Sequence, residues 1–145
     1  MKLIDITDAN GAILESDWLM KSESVHRQLR PMLPEDYVAR MHEIFANGAR
    51  LLIAVNGKQV VGLALWRLIE NTYEGLRLHV DDLVTEETQR SKGIGKLLLS
   101  HLESQAKDLG CNVLALDSGV QRASAHQFYF REKMHIFSFS FRKSL

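Results

Sequence analysis

A glycine-containing turn between an apolar run and a helical pattern constrains the fold of this chain more than any other feature. The turn spans residues 89–96 (QRSKGIGK); the apolar run Leu78–Val84 precedes it, and a helical pattern over Lys96–Leu109 follows it. Glycine has no Cβ, so the backbone can approach a ligand closely, and the first N–H groups of a helix have no partner within the helix. Because the positive end of the helix dipole lies there too, the turn is predicted to bind an anion.

Three basic residues, Arg90, Lys92 and Lys96, add positive charge to this turn. Gly93 and Gly95 do not complete a nucleotide-binding motif, because the dinucleotide motif needs a third glycine and the P-loop needs a Lys-Ser or Lys-Thr pair at fixed spacing. A nucleotide-binding protein that holds ATP in the turn is therefore an interpretation without a supporting motif.

Length and composition predict a single domain over residues 1–145 with a hydrophobic core. The chain has 46% hydrophobic and 25% charged residues, and its 18 basic and 18 acidic side chains give a formal net charge of zero. This balance gives no reason to expect a nucleic-acid or membrane partner. The one cysteine, Cys111, rules out an intramolecular disulfide framework, and no signal peptide or apolar run of transmembrane length is present, so a cytoplasmic protein is expected. The formation of a homodimer is left open.

Hydrophobic periodicity predicts ten elements in the order β, α, α, β, β, β, α, β, α, β. The predicted strands lie in residues 1–7, 51–55, 60–69, 76–84, 113–116 and 136–141, and the predicted helices in 14–29, 34–47, 96–109 and 123–133. Val113–Leu116 is wholly apolar, which predicts a strand covered on both sides. Ile136–Phe141 alternates phenylalanine with serine, so its aromatic face is predicted to be buried. A tight hairpin turn is predicted at Asn56-Gly57.

The turn and the order of elements resemble those of the GNAT superfamily of acyl-CoA-dependent N-acyltransferases. Arg90, Gly93 and Gly95 match the family signature [QR]-x-x-G-x-[GA], and Ala125–Tyr129 (AHQFY) resembles the A-x-x-F-Y of the family's last helix. The resemblance implies the GNAT fold of the α/β (α+β) class: a mixed central sheet of about six to seven strands flanked by four helices, with strands four and five parallel and splayed.

Two positions depart from the family pattern. Ser91 stands where many members have glycine, and little change in the loop is expected because the signature leaves that position free. Lys133-Met134 stands where many members have Gly-Phe or Gly-Tyr, which puts the geometry before the last strand in question.

The resemblance also implies where acetyl-CoA, the co-substrate, is held. In the family the glycine turn holds the pyrophosphate, and the backbone of strand four holds the pantetheine arm and supplies a donor to the reacting oxyanion. The coenzyme-binding residues implied here are Leu83, Val84, Thr85, Arg90, Ser91, Lys92, Gly93, Ile94, Gly95 and Lys96.

Two residues are candidates for catalysis. Asp81 takes the place of the family's glutamate base, although Asp82 or a chain of waters could serve instead, and both carboxylates could be purely structural. Because successive strand residues face opposite sides, only one of the two is expected to face the cleft. Tyr129 takes the place of the tyrosine that protonates the leaving thiolate, and an unperturbed phenol, with a pKa of about 10, keeps its proton at neutral pH.

The leading hypothesis is an N-acetyltransferase that moves an acetyl group from acetyl-CoA to a primary amine of a small molecule or protein by direct transfer in a ternary complex. The alternative is a non-catalytic domain that binds acyl-CoA as a sensor or partner. Arg27 and Arg30 could hold an anionic group on the acceptor, but a solvated basic face is the simpler explanation. No metal is expected, because the six histidines are scattered without ligand spacing.

Overall fold

The computed structural model describes residues 1–145, which fall into two compact units, residues 1–115 and 116–145. The elements, in chain order, are β1 (Lys2–Asp5), α1 (Ser16–Leu29), α2 (Tyr37–Ala46), β2 (Arg50–Asn56), β3 (Gln59–Asn71), β4 (Gly75–Thr85), α3 (Ile94–Asp108), β5 (Val113–Leu116) and α4 (Ala123–Arg131). A short 3₁₀ turn, Glu87–Gln89, lies between β4 and α3. The strands form one sheet in the order β1-β2-β3-β4-β5; the first four are antiparallel neighbours, and β4 and β5 are parallel.

The four helices, the first five strands and the parallel β4–β5 pair confirm the predicted arrangement, with most boundaries shifted by one to three residues. The helix α2 begins at Tyr37 rather than Pro34, because the carboxylate of Asp36 accepts a hydrogen bond from the Ala39 N–H at 3.1 Å and so caps the helix there. The helix α3 begins two residues earlier than predicted, at Ile94. In the β2–β3 hairpin, Asn56 is the last residue of β2 and pairs with Gln59. Of the predicted turn pair Asn56-Gly57, only Gly57 therefore has a positive φ.

The prediction of a last strand over residues 136–141 is wrong. Residues 135–145 form no helix or strand, so the sheet has five strands instead of six or seven. The aromatic face that was predicted to be buried is exposed at Phe137, Phe139 and Phe141. Alternation supplies the side-chain pattern of a strand, but a strand forms only where its backbone finds a neighbouring edge.

The predicted burial of β5 on both sides is also wrong. All four of its residues are partly exposed. The strand lies at the edge of the sheet, so its outer backbone groups have no neighbour.

The main core of the first unit lies between the sheet and the helices α1 and α2. Its members share nearly complete burial and include Leu19, Tyr37, Met41, Phe45, Leu51, Ile53, Leu63, Leu65 and Val84. No helix of the protein has the length and apolarity needed to span a bilayer.

The helix α3 packs on the opposite face of the sheet and depends on a glycine in β3. A Cβ on Gly62 would lie 2.6 Å from Cγ2 of Ile94 and 3.2 Å from Cδ1 of Leu98. Because Leu63 and Leu65 belong to the core on the α1 and α2 side, Gly62 between Val61 and Leu63 faces α3. The absence of a side chain therefore lets the first turns of α3 sit directly on β3.

Candidate functional site

The connection from β4 to α3 is anchored before it reaches the glycine turn. The carboxylate of Glu86 accepts hydrogen bonds from the Thr88 N–H at 2.9 Å and from the Thr88 hydroxyl, which lowers the pKa of Glu86. The side chain of Gln28, on α1, donates to Glu86 at 3.3 Å and accepts from the Glu87 N–H at 3.0 Å. These contacts fix the start of the loop against the first helix.

The glycine turn leaves the N-terminus of α3 without a capping side chain. Gly93 is the N-cap residue, with φ 81° and ψ 10°, and no side chain bonds to the first amides of the helix. A Cβ on Gly93 would meet nothing within 4 Å, so the position requires glycine for its backbone conformation and not for space. Arg90, Lys92 and Lys96 are exposed around these amides. The arrangement combines free N–H donors, the helix dipole and mobile positive charge, as an anion site requires.

Ser91 also has a left-handed backbone, with φ 65°. The serine takes up a backbone conformation that glycine adopts freely. Ser91 adopts this conformation at an energetic cost, because the backbone of a residue with a Cβ is strained there.

The last residues of β4 expose one edge of their backbone. The Glu86 N–H donates to the Val61 carbonyl at 2.8 Å, and Val84 pairs with Leu63 two residues earlier. Because antiparallel partners alternate, the backbone groups of Leu83 and Thr85 point to the other edge. On that side β5 is only four residues long, and the Asn112 N–H just before it bonds to the Leu76 carbonyl at 2.8 Å.

The strand β5 runs parallel to β4 for four residues from a point beside Leu76, so it ends near Val80 and Asp81. It therefore leaves the backbone at Leu83 and Thr85 without a strand neighbour. A ligand with amide groups could add to this edge in the manner of a strand.

A β-bulge in β4 places both aspartates on the same side of the sheet. Leu65 pairs with Asp82 and Trp66 with Val80, so Asp81 is an extra residue with no partner in β3. Asp82 contacts α1, while Asp81 contacts Arg67, whose guanidinium also donates to the Asn47 carbonyl at the end of α2 at 3.4 Å. The extra residue interrupts the strict alternation on which the sequence prediction for the two aspartates depended.

Asp82 belongs to a buried network that joins α1, α2 and β4. Its Oδ2 lies 2.7 Å from His26 Nε2, and its Oδ1 accepts from Arg30 Nε at 2.8 Å and lies 2.7 Å from Arg30 Nη2. The other nitrogen of His26, Nδ1, lies 2.9 Å from the Tyr37 hydroxyl. Burial alone would raise the pKa of Asp82, but the hydrogen bonds and charges of His26 and Arg30 outweigh it and lower that pKa.

The network assigns the hydrogen-bond roles. An ionised carboxylate only accepts, so His26 Nε2 carries a proton and donates it to Asp82. Burial raises the pKa of Tyr37, so its hydroxyl keeps its proton; this hydroxyl can donate to His26 Nδ1 or accept from it. With His26 only 1% exposed and Asp82 7% exposed, this carboxylate is committed to holding the helices on the sheet.

Asp81 is more accessible to solvent than Asp82 and is held by fewer side chains. Its Oδ2 is held by Arg67 at 2.6 Å from Nη2 and 2.8 Å from Nε, while its Oδ1 lies 4.0 Å from His79 Nε2. The side chain of Asp81 is 27% exposed. Of the two aspartates, Asp81 is the one whose carboxylate can reach solvent or a substrate.

The two arginines considered for the acceptor are both engaged within the chain. Arg27 donates to Glu23 and to the carbonyls of Leu33 and Pro34, at 2.6 to 2.7 Å. Arg30 is bound to Asp82 and also donates to the Asp81 carbonyl at 3.3 Å. They act as connections between elements, which the sequence did not indicate.

In the second unit, Tyr129 lies on α4 with its ring 5.5 Å from that of Phe128. Burial raises the pKa of Tyr129, while the charge and hydrogen bond of Arg122 oppose that shift. The phenol therefore keeps its proton at neutral pH, as a proton donor must.

The helix α4 ends with a lysine in the position that glycine usually occupies. The Met134 N–H bonds to the Tyr129 carbonyl and the Lys133 N–H to the Phe130 carbonyl, each at 3.0 Å, which is the Schellman pattern. Lys133 has φ 65°. Lys133 thus takes the left-handed conformation that glycine usually supplies at this position, and no strand follows it in residues 135–145.

Comparison with known proteins decides the family. Residues 13–135 match the acetyltransferase (GNAT) family. The chain belongs to the GNAT family. It is 32% identical over 133 residues to the uncharacterised N-acetyltransferase YhdJ of Bacillus subtilis (strain 168), which covers 89% of this chain and 92% of YhdJ. It is 33% identical over 66 residues to the aminoalkylphosphonate N-acetyltransferase of Salmonella typhimurium (strain LT2), 46% of this chain and 43% of that protein.

Several solved structures share the fold of this GNAT chain. Aminoglycoside N-acetyltransferase AAC(6')-Iy, determined in complex with CoA, superposes with a TM-score of 0.80 at 16% identity, over 99% of this chain and 95% of that one. A transcriptional regulator from Bacillus halodurans C-125 superposes with a TM-score of 0.75 at 24% identity, over 99% of each chain. At these identities the likeness establishes the GNAT fold alone.

Several features of the candidate site in this GNAT chain were not predicted from the sequence. The network of His26, Tyr37 and Asp82 joins residues far apart in the chain, and no local spacing indicates it. Arg67 gave a signal, because it is a charged residue in the middle of an apolar strand. Gly62 gave a weaker one, as a glycine within a strand often marks close approach of another element. No three His, Cys, Asp or Glu side chains are grouped as ligands of a metal ion would be.

Proposed function

We propose that the protein is an acetyl-CoA-dependent N-acetyltransferase that acetylates a primary amine by direct transfer in a ternary complex. The observation that carries the proposal is the uncapped N-terminus of α3 at Gly93, directly after a β4 edge that is open at Leu83 and Thr85. Family membership supports acetyl transfer as the reaction class.

The chain's own groups account for binding of the coenzyme. The amides that follow Gly93, with Arg90, Lys92 and Lys96, bind the pyrophosphate, and the edge of β4 binds the amides of the pantetheine arm. The Val84 N–H is directed at β3, so the backbone donor to the reacting oxygen comes from Leu83 or Thr85. The coenzyme supplies the acetyl group as a thioester.

Asp81 is the proposed general base. The acceptor amine is mostly protonated at neutral pH and must lose a proton before it attacks. Arg67 holds Oδ2 of Asp81, so Oδ1 is the atom that receives this proton, directly or through water. Tyr129 is the proposed acid that returns a proton to the departing thiolate, which its raised pKa supports.

A non-catalytic acyl-CoA-binding domain is the second candidate, and the ion pair between Asp81 and Arg67 favours it. The guanidinium of Arg67 already occupies one oxygen of this carboxylate, which leaves only the other oxygen for an acceptor amine. Both candidates require coenzyme binding, so only turnover separates them.

The test is calorimetric titration with acetyl-CoA, followed by measurement of free thiol release with pooled amines. Aminoglycosides and aminoalkylphosphonates go into the first pools, because acetyltransferases named for them are among the similar proteins. Asp81→Asn and Tyr129→Phe are each expected to lower turnover about 100-fold or more while coenzyme affinity is kept. Asp108→Asn, an exposed carboxylate at the end of α3, serves as the control. Equal turnover in all three variants would remove both residues from the mechanism.

A further inference from the structure

The segment 87–92, which links β4 to the glycine turn, makes its hydrogen bonds to other elements through a single side chain, that of Gln28 on α1. The Gln28 Oε1 accepts from the Glu87 N–H at 3.0 Å, and the Gln28 Nε2 donates to Oε1 of Glu86, just before the segment, at 3.3 Å. The other hydrogen bonds of the segment stay within the connection itself. Gln28 is therefore the hydrogen-bonded link between this connection and the first helix.

The two contacts of Gln28 fix the orientation of its side-chain amide. A backbone N–H only donates, so the atom that faces Glu87 is the amide oxygen, and the amide nitrogen then faces the carboxylate of Glu86. The other oxygen of this carboxylate accepts from the Thr88 N–H at 2.9 Å. Gln28 and Glu86 together bind two successive amides at the start of the 3₁₀ turn, which sets the direction in which the chain leaves β4.

The part of α1 that carries Gln28 is itself attached to β4 on both sides of this residue. His26, two residues earlier, lies 2.7 Å from the carboxylate of Asp82 through Nε2, and Arg30, two residues later, donates to the same carboxylate at 2.8 Å through Nε. The backbone of Gln28 thus has little freedom to move relative to the sheet. An exposed side chain on such a backbone can hold a loop in one place.

The segment contains a strained residue and therefore depends on external support. Ser91 has φ 65°, a conformation that disfavours a residue with a Cβ. Arg90 and Lys92, on either side of it, are exposed basic residues of the proposed anion site. A segment that must be ordered by its ligand lowers the affinity for that ligand, whereas a segment that is held in place beforehand does not.

We propose that Gln28 is a positioning residue for the coenzyme turn. It holds residues 87–92 so that Arg90 and Lys92 stand at the N-terminus of α3 before the pyrophosphate of acetyl-CoA arrives. In this role Gln28 acts through Glu86 and the Glu87 N–H, and not on the coenzyme directly. The inference rests on the coenzyme site under the proposed function.

The first measurement is calorimetric titration of acetyl-CoA into the full chain. Gln28→Ala is expected to bind about tenfold more weakly than the wild type, because two hydrogen bonds that order the segment are lost. The double variant Gln28→Ala/Glu86→Ala is expected to bind no more weakly than Glu86→Ala alone, since both residues act through one contact. Ser24→Ala is the control: Ser24 is exposed one turn earlier on α1, and this variant is expected to keep wild-type affinity.

The second measurement is hydrogen exchange of the backbone amides, with and without saturating acetyl-CoA. In free Gln28→Ala, the amides of residues 87–92 are expected to exchange at least about fivefold faster than in the free wild type. In the saturated complexes the two proteins are expected to exchange alike, because the bound coenzyme orders the segment in both. The amides of residues 98–106, in the middle of α3, are expected to be unchanged, which a general loss of structure would not allow.

The possible failures are distinguishable. A wild type that does not bind acetyl-CoA removes the proposed coenzyme site, and this inference with it. Tight binding by the wild type and equally tight binding by Gln28→Ala overturns the role of Gln28 alone and leaves the coenzyme site standing. A weaker Gln28→Ala whose free segment exchanges as slowly as that of the wild type contradicts positioning, because Gln28 would then act on the coenzyme directly.

Discussion

Single residues in unfavourable backbone conformations mark where this chain departs from the glycine pattern of its family. Ser91 and Lys133 are the two non-glycine residues with positive φ, each at 65°. Both sit at the end of an element that carries a proposed site residue, before α3 and after α4. The surrounding hydrogen bonds hold them there despite the strain.

Replacement of Ser91 by glycine is expected to stabilise the protein by about 0.5–1 kcal/mol, because the left-handed conformation is strained for a residue with a Cβ. Thermal unfolding measures the change. Ser100→Gly is the matched control: the same substitution in the exposed middle of α3 is expected to destabilise by about 1 kcal/mol. Equal effects of the two substitutions would show that the strain at Ser91 is not real.

Substitutions of the two adjacent aspartates are expected to affect different properties: that of Asp82 mainly the stability, and that of Asp81 mainly the turnover. Asp82→Asn leaves the buried His26 and the half-exposed Arg30 without their carboxylate partner and should cost about 3 kcal/mol of unfolding free energy. Asp81→Asn affects a partly exposed pair, so about 1 kcal/mol or less is expected, with a loss of turnover. Denaturant unfolding with activity on the same samples measures both. A large stability loss in Asp81→Asn and none in Asp82→Asn would reverse the assignment.

The pH dependence of stability follows from Asp82. The pKa of its carboxyl group is lower in the folded chain than its unfolded value of about 3.9. Its stabilisation is therefore present above about pH 4 and lost as the pH falls through the folded pKa. The free energy of unfolding of the wild type should fall over this acid range more steeply than that of Asp82→Asn. Parallel curves would contradict the assignment.

At the scale of elements, close packing at one glycine, Gly62, positions the start of α3 and with it the glycine turn proposed to bind the coenzyme. Gly62→Ala puts a Cβ 2.6 Å from Ile94 Cγ2, so the start of α3 has to move. A cost of about 1–3 kcal/mol and at least a tenfold loss of acetyl-CoA affinity are expected. The control is Ala64→Gly, which removes a Cβ from the same face of the same strand. It should lose stability without a comparable loss of affinity in the calorimetric titration.

The elements that sequence patterns predicted well are those whose signals are local. The antiparallel strands β2, β3 and β4 are bounded by turn residues, and α3 combines an apolar face with a glycine at its end, Gly110. The C-terminal strand could not be judged in this way, because a strand forms only where its backbone finds a neighbouring edge, and the local pattern does not report that edge. The bulge at Asp81 was also invisible, since one inserted residue alters no local composition.

At the scale of the whole molecule, the two faces of the sheet have different roles. One face carries the core with α1 and α2 and the buried network around Asp82; the other supports α3, whose N-terminus forms the proposed anion site. The site is thus built on elements that are fixed by packing on both faces. The glycine turn could be located from sequence alone because its residues are consecutive. The partners of Asp81 and Asp82 could not, because they lie far from them in the chain.

The measurement that tests the central claim most directly is titration of acetyl-CoA into the wild type and Gly93→Asp. The variant adds a negative charge and bulk at the start of α3 and is expected to lose at least 100-fold in affinity. Gly110→Asp is the control, because Gly110 has a similar φ, 78°, and equal free space at the other end of the same helix. Wild-type affinity in the control and its loss in Gly93→Asp would support the turn as the coenzyme site. Unchanged affinity in a folded Gly93→Asp would contradict it.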